Sequence, residues 1–141
     1  MDAYPGRGWS GKEHWVRWTE GTKAELLFGL NQPVTSDLQL VIEGYGLIDE
    51  KHRQQLIIQA NGHTVAQMTL SAQSPSPAPV IIPRALVGET GILRVTLNTP
   101  DAISPKELGI NNDERLLAVA FRTVTVAPSA QDGPLQGDTN R

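Results

Sequence analysis

Apolar residues recur at every second position in five separate stretches of this chain, and that spacing decides the fold class. Leu26, Phe28 and Leu30 share one side of residues 24–30, and Leu38, Leu40 and Ile42 one side of 38–43. Leu56, Ile58 and Ala60 repeat the pattern, as do Ala66, Met68 and Leu70, and then Leu93, Val95 and Leu97. A period of two marks strands with one buried face. Helical spacing is nowhere sustained over three turns, which excludes bundles and βαβ repeats. The Asn61-Gly62 pair separates residues 55–60 from 63–70. Both residue types tolerate positive φ, so the pair predicts a two-residue type I′ hairpin.

The remaining segments fit the same class. Pro75, Pro77 and Pro79 predict an exposed connection or a sheet edge, because proline cannot donate to a central ladder. Residues 80–82 then resume as a short strand. The last strand, 117–126, contains a phase break: Leu117, Val119 and Phe121 share one face, while Val124 and Val126 fall on the other. Either a β-bulge near Arg122-Thr123 returns the two valines to the core, or this strand is covered on both faces. Ser104-Pro105-Lys106-Glu107 predicts one helical turn, with Ser104 capping, Pro105 at the first helical position and Gly109 placed to stop it. Eight or so short strands with little helix predict an all-β antiparallel β-sandwich, of jelly-roll type, with one or two short helical turns. The domain is expected over residues 15–127, after a lead-in of 1–14. A disordered tail is expected over 128–141, which carries one large apolar residue, Leu135.

Composition narrows the function. The chain has no cysteine, which excludes disulfides and thiolate chemistry. Twelve basic against fifteen acidic residues argue against a nucleic-acid surface. No apolar run approaches the ~20 residues needed to cross a bilayer, and no signal-like stretch opens the chain. A soluble, cytoplasmic location without direct membrane insertion is therefore expected.

Motifs for catalysis fail on context. The string Gly6-Arg7-Gly8-Trp9-Ser10-Gly11 matches a dinucleotide fingerprint, and Gly6 to Lys12 most of a phosphate-binding loop. That chemistry needs a preceding strand and a following helix. Only five residues precede Gly6, and the following WVRWT resembles a strand. The three histidines have no metal-ligand spacing. Asn111, Asn112, Asp113 and Glu114 offer oxygen ligands but lack the spacing of a calcium loop, and a polar turn explains them as well. The chain is thus expected to be non-enzymatic and to use no cofactor. Asp113 and Arg115, two residues apart, form either a structural ion pair or a planar grip for sugar hydroxyls.

The aromatic residues are unevenly placed. There are seven, and Tyr4, Trp9, Trp15 and Trp18 fall in the first 18 positions. Indole stacks against the apolar C–H face of a sugar, so the cluster suggests a saccharide platform. A regular strand over 15–19 turns Val16 and Trp18 inward and Trp15 and Arg17 outward. Trp18 is then expected in the core, leaving Trp9 and Trp15 for a ligand or for a segment that latches over the sandwich.

Four blocks occur in order along the chain: GWSGKEHWVRWTEG, QANGHTV, IIPRALV and SPKELGINNDERLLAVAF. Together they resemble a small carbohydrate-binding-like β-sandwich appended to bacterial envelope glycosyltransferases and phosphoglycerol-transferase-like proteins. The resemblance covers about residues 8–126. The chain departs from the family pattern at Val16 and at Leu117-Ala118, where that pattern has glycine and Leu-Gly. The resemblance implies an accessory module in surface-polysaccharide or glycolipid biosynthesis. Its partners would be a glycan or glycolipid and a glycosyltransferase domain in the same or a neighbouring chain. The candidate binding residues are Trp9, Glu13, Trp15, Arg17, Asp113 and Arg115. A purely structural, protein-interaction domain is the alternative.

Overall fold

A computed structural model describes residues 4–5, 17–30, 34–88 and 91–129. In chain order the elements are β1 (Tyr4–Pro5), β2 (Arg17–Glu20), β3 (Lys23–Gly29), β4 (Leu38–Gly46), β5 (Gln54–Ala60) and β6 (His63–Leu70). They continue with β7 (Val80–Ile82), a single helical turn α1 (Arg84–Val87), β8 (Ile92–Asn98) and β9 (Leu117–Pro128). One sheet has the order β1-β3-β8-β5-β6 and the other β2-β9-β4-β7. Every pairing is antiparallel. Except at the β5–β6 hairpin, each strand lies in the opposite sheet from the one before it. Strands β2 to β9 therefore wind as a jelly roll, with β1 added beside β3.

The alternating residues do what their spacing requires. Ala24, Leu26 and Phe28 face Leu93, Val95 and Leu97 across the β3–β8 ladder, and Leu56, Ile58 and Ala60 extend that inner face. Leu38, Leu40, Ile42, Val80, Ile82, Val119, Phe121 and Val126 form the opposing face. Ala66 and Met68, on the outer strand β6, pack on the core but are only partly covered.

The hairpin at Asn61-Gly62 is a two-residue turn with φ of 48° and 88°. The Asn61 side chain does more than turn the chain. Its Oδ1 accepts from the Arg94 amide (2.8 Å), while Nδ2 donates to the Leu86 carbonyl (3.1 Å). The turn is thereby tied to the connection between β7 and β8. The proline stretch is a connection between the two sheets, as expected, but Pro77 within it is buried.

Both readings of the last strand hold, in different halves. Residues Leu117 to Phe121 are all buried, so this half is covered on both faces. Glu43 then pairs with Thr123 but Gly44 with Phe121, which leaves Arg122 as the extra residue of a bulge. The bulge returns Val124 and Val126 toward the core. Around residue 104 the expected turn is present: the Ser104 hydroxyl caps the Glu107 amide (3.1 Å), and Gly109 has φ of 78°. Strand β9 runs one residue past the expected boundary, and the Ser129 amide donates to the Asp37 carbonyl (2.9 Å).

Trp18 departs from expectation. It pairs with Ala120, which pairs in turn with Tyr45. Directly paired residues share a face, and neither Trp18, Ala120 nor Tyr45 belongs to the core cluster. Trp18 is therefore on the outer face of the four-stranded sheet. Thr19 takes the inward position at 1% exposure, where its hydroxyl oxygen accepts from the Val119 amide (3.1 Å). That amide lies where the β2–β9 register slips, so a hydroxyl satisfies it and an indole cannot.

Candidate functional site

The jelly-roll winding sets the N-terminal strand β2 against the last strand, β9. Residues 17–20 of the GWSGKEHWVRWTEG block thus pair with residues 117–121 of the SPKELGINNDERLLAVAF block. Glu20 pairs with Leu117 at one end, and Arg17 with Phe121 at the other. Different chemistry gathers at each end.

At the Glu20 end, the Gly21 amide donates to the Leu116 carbonyl (2.8 Å), which anchors the loop over 104–116. Asp113 and Arg115 sit in this loop. Arg115 donates from Nε to both carboxylate oxygens of Asp113 (3.0 and 3.1 Å) and from Nη2 to Oδ2 (2.6 Å). Its backbone amide adds a bond to Oδ1 (3.0 Å). The Asn111 side chain accepts from the Asp113 amide (2.8 Å), and the Asp113 carbonyl accepts from the Lys106 amide (2.9 Å). Lys106 also pairs with Glu114 at 3.0 Å on the surface. The segment 111–114 is thus a self-bonded polar turn, and among the described residues no three ligating side chains gather for a metal.

Because the Arg115 guanidinium and amide stabilise the ionised form, the Asp113 carboxyl is held down to about 2, from an ordinary 3.8. A depressed carboxylate contributes stability that is present above the unfolded value and lost as pH falls through the folded one. Asp113→Asn should therefore lower the urea midpoint by a constant amount above pH ~5. The gap to the parent should close between pH 3.8 and about 2. A gap that persists unchanged at pH 2 would contradict this pairing.

At the Arg17 end lies a feature that strand phase did not reveal. The Trp18 and Tyr45 rings meet edge to face, with centroids 5.7 Å apart and planes at 87°. Tyr45 stays 45% exposed. Beside it is a shallow depression of about 210 Å³ lined by Glu43, Gly44, Tyr45 and Arg122. Arg122 is presented there by the bulge, next to Thr123, whose hydroxyl donates to Glu43 Oε1. Gly44, between Glu43 and Tyr45 on β4, completes the lining. The depression thus combines one open aromatic ring, a guanidinium donor and a carboxylate acceptor.

Of the residues singled out from sequence, Trp9, Glu13 and Trp15 lie outside the described residues, as does the glycine string 6–11. Arg17 is described in its backbone, at the start of β2 opposite Phe121 and hence one residue from Arg122. Asp113 and Arg115 are together, but off the opposite end of β2. With ~3.3 Å per strand residue, the two ends of β2 are about 10 Å apart. Tyr45, Glu43 and Arg122 were missed. The available signal was the phase break at Arg122-Thr123, since bulges re-aim side chains next to functional sites.

Among the described residues no helix is long and apolar enough to cross a membrane. No protein-family model matches the chain, and no curated protein does. Among solved structures, the chain is similar to a family 35 carbohydrate binding module from Clostridium thermocellum, at 11% identity and a TM-score of 0.42, over 92% of this chain and 90% of that one.

Proposed function

We propose that this protein is a non-catalytic, carbohydrate-binding-like module whose ligand rests in the depression beside Tyr45. The observation that supports this most is the Trp18–Tyr45 pair with its exposed ring, set next to unlike polar groups. Edge contact with Trp18 fixes the Tyr45 ring, so little freedom is lost when a sugar face packs on it. Arg122 donates to ring and hydroxyl oxygens, and Glu43 accepts from hydroxyls. We further propose Trp9, Glu13, Trp15 and Arg17, from the block that leads into β2, as ligand contacts. By its resemblance, the module serves surface-polysaccharide or glycolipid biosynthesis beside a glycosyltransferase domain.

Tyr45→Ala should weaken binding of an envelope saccharide about tenfold, the upper range for an aromatic contact, and lower the thermal midpoint by only a few degrees through the lost Trp18 contact. Titration of the ¹⁵N-labelled protein with fractionated envelope glycans checks this. No shift at Tyr45, Glu43 or Arg122 with any fraction would sink the proposal.

A second reading attaches to the other end of β2. There Arg115 holds both carboxylate oxygens of Asp113, and Ile110 and Leu116 stand 58% and 44% exposed around them. A loop so built favours contact with a protein partner over a sugar, and we assign to it the packing against the transferase.

A further inference from the structure

We infer that the open edge of β6 pairs with the β6 edge of a second copy of this chain, antiparallel about a two-fold axis at or beside Gln67. The pairing joins two five-stranded sheets into one continuous sheet.

Each sheet has two outer strands, and three of the four carry devices against further pairing. β1 is two residues long and ends in Pro5. β2 is four residues long, ends in Glu20 and slips register against β9. β7 is three residues long and stands between Pro79 and Pro83. Short strands, prolines, charges and irregular register keep sheet edges from joining other chains. Strand β6 lacks most of these. It is eight residues long and contains no proline and no Asp, Glu, Lys or Arg. Its one irregularity sets Val65 apart near the turn, since Ile58 pairs with Ala66 but Gln59 with Thr64. Residues 66–70 then run in unbroken register against β5, and among the described residues no strand pairs with their other side.

The same strand is incompletely covered. Val65, Ala66 and Met68 pack on the core but stay partly exposed, whereas Leu56 and Ile58 on the neighbouring strand are fully buried. A strand added beside β6 lays its own inward residues against these, as neighbouring strands within a sheet do.

A second copy fits this edge. Like charges directly opposite one another destabilise a strand pair, and a strand without Asp, Glu, Lys or Arg meets its own copy free of them. The exposed Gln67 and Thr69 side chains each donate and accept hydrogen bonds, so identical residues satisfy one another across the axis. Such a pair is also closed, because each edge is used up by its own kind and the guarded edges stop further growth. The depression beside Tyr45 lies on the outer face of the other sheet, so the dimer carries two of them, whatever they hold.

Sedimentation equilibrium of the full chain across roughly 1 μM to 1 mM tests this. The parent should pass from monomer to dimer and no further. Gln67→Lys and Gln67→Glu, at an exposed position, should each weaken the dimer at least about tenfold by setting like charges across the axis. At a dilution where all three are monomers, their thermal midpoints should agree. Mixing the two variants in equal amounts should restore the dimer. A parent that stays monomeric to ~1 mM would overturn the inference. Hydrogen exchange then tells what holds the edge: slow β6 amides assign it to a segment of the chain itself, and fast ones leave it to a different protein. A dimer that neither charge weakens, or that mixing does not restore, would place the contact on another surface and overturn it as well. Growth beyond two copies would overturn the closed two-fold pairing.

Discussion

Replacing Gly44 with alanine is expected to cost the domain about 3 kcal/mol or more, the upper range for forced overpacking. A Cβ built at Gly44 would lie 2.2 Å from the Ala120 carbonyl oxygen and 2.9 Å from Phe121 Cδ1. The carbonyl belongs to the paired strand and cannot swing aside as a side-chain tip would. Strands β4 and β9 would have to separate where they are held closest, at the bulge. Because that bulge presents Arg122 and sets Tyr45 beside it, binding should fall with stability. Gly29→Ala is the control. Its Cβ meets nothing within 4 Å, so that variant should match the parent or exceed it by a few tenths of a kcal/mol. Urea midpoints of the two variants decide the matter. A Gly44→Ala protein as stable as Gly29→Ala would mean that the β4–β9 approach is looser than described.

The contrast between these glycines shows what the sequence made legible. Period-two alternation located β3, β4, β5, β6 and β8 because one-sided burial writes itself into every second residue. Asn61-Gly62 located the hairpin because few residue pairs accept its dihedrals. The outer face of a sheet writes no such record. Its residues are held by register, and register depends on which strands become neighbours. Trp18 illustrates the limit. In a four-residue strand with an irregular partner, the demand of one backbone amide for the Thr19 hydroxyl outweighed the burial of an indole. Glu43, Tyr45 and Arg122 come from strands some eighty residues apart, and only the β4–β9 pairing brings them together. The Asp113–Arg115 pair was legible as a pair because it is local. Its two possible uses were not separable until the bonds of the loop were known. The bulge was foreseen as a repair of phase in the core. Its second consequence, the presentation of Arg122, depends on Glu43 being opposite.

Phe28→Ala should be the most damaging of the side-chain truncations, at about 3–5 kcal/mol. Phe28 is fully buried on β3, opposite Leu93. The chain has two phenylalanines, and both face the core, which is otherwise aliphatic. Strand β3 is paired on one side with β8 along its whole length and on the other with β1, so its backbone cannot sink into the space left by the ring. Against a typical domain stability of ~5–15 kcal/mol, such a loss approaches the margin for folding. Phe28→Leu keeps most of the volume and should cost less than about 1.5 kcal/mol. The measurement is the urea midpoint at constant m-value. The substitution also separates stability from binding, because Phe28 points to the inside of one sheet while Tyr45 and Arg122 stand on the outside of the other. At a temperature where Phe28→Ala remains folded, its saccharide affinity should equal that of the parent. A loss under about 1 kcal/mol would show that the sandwich collapses around the vacancy. Full stability loss with altered binding in the folded fraction would show that the two sheets transmit strain through the core to the site.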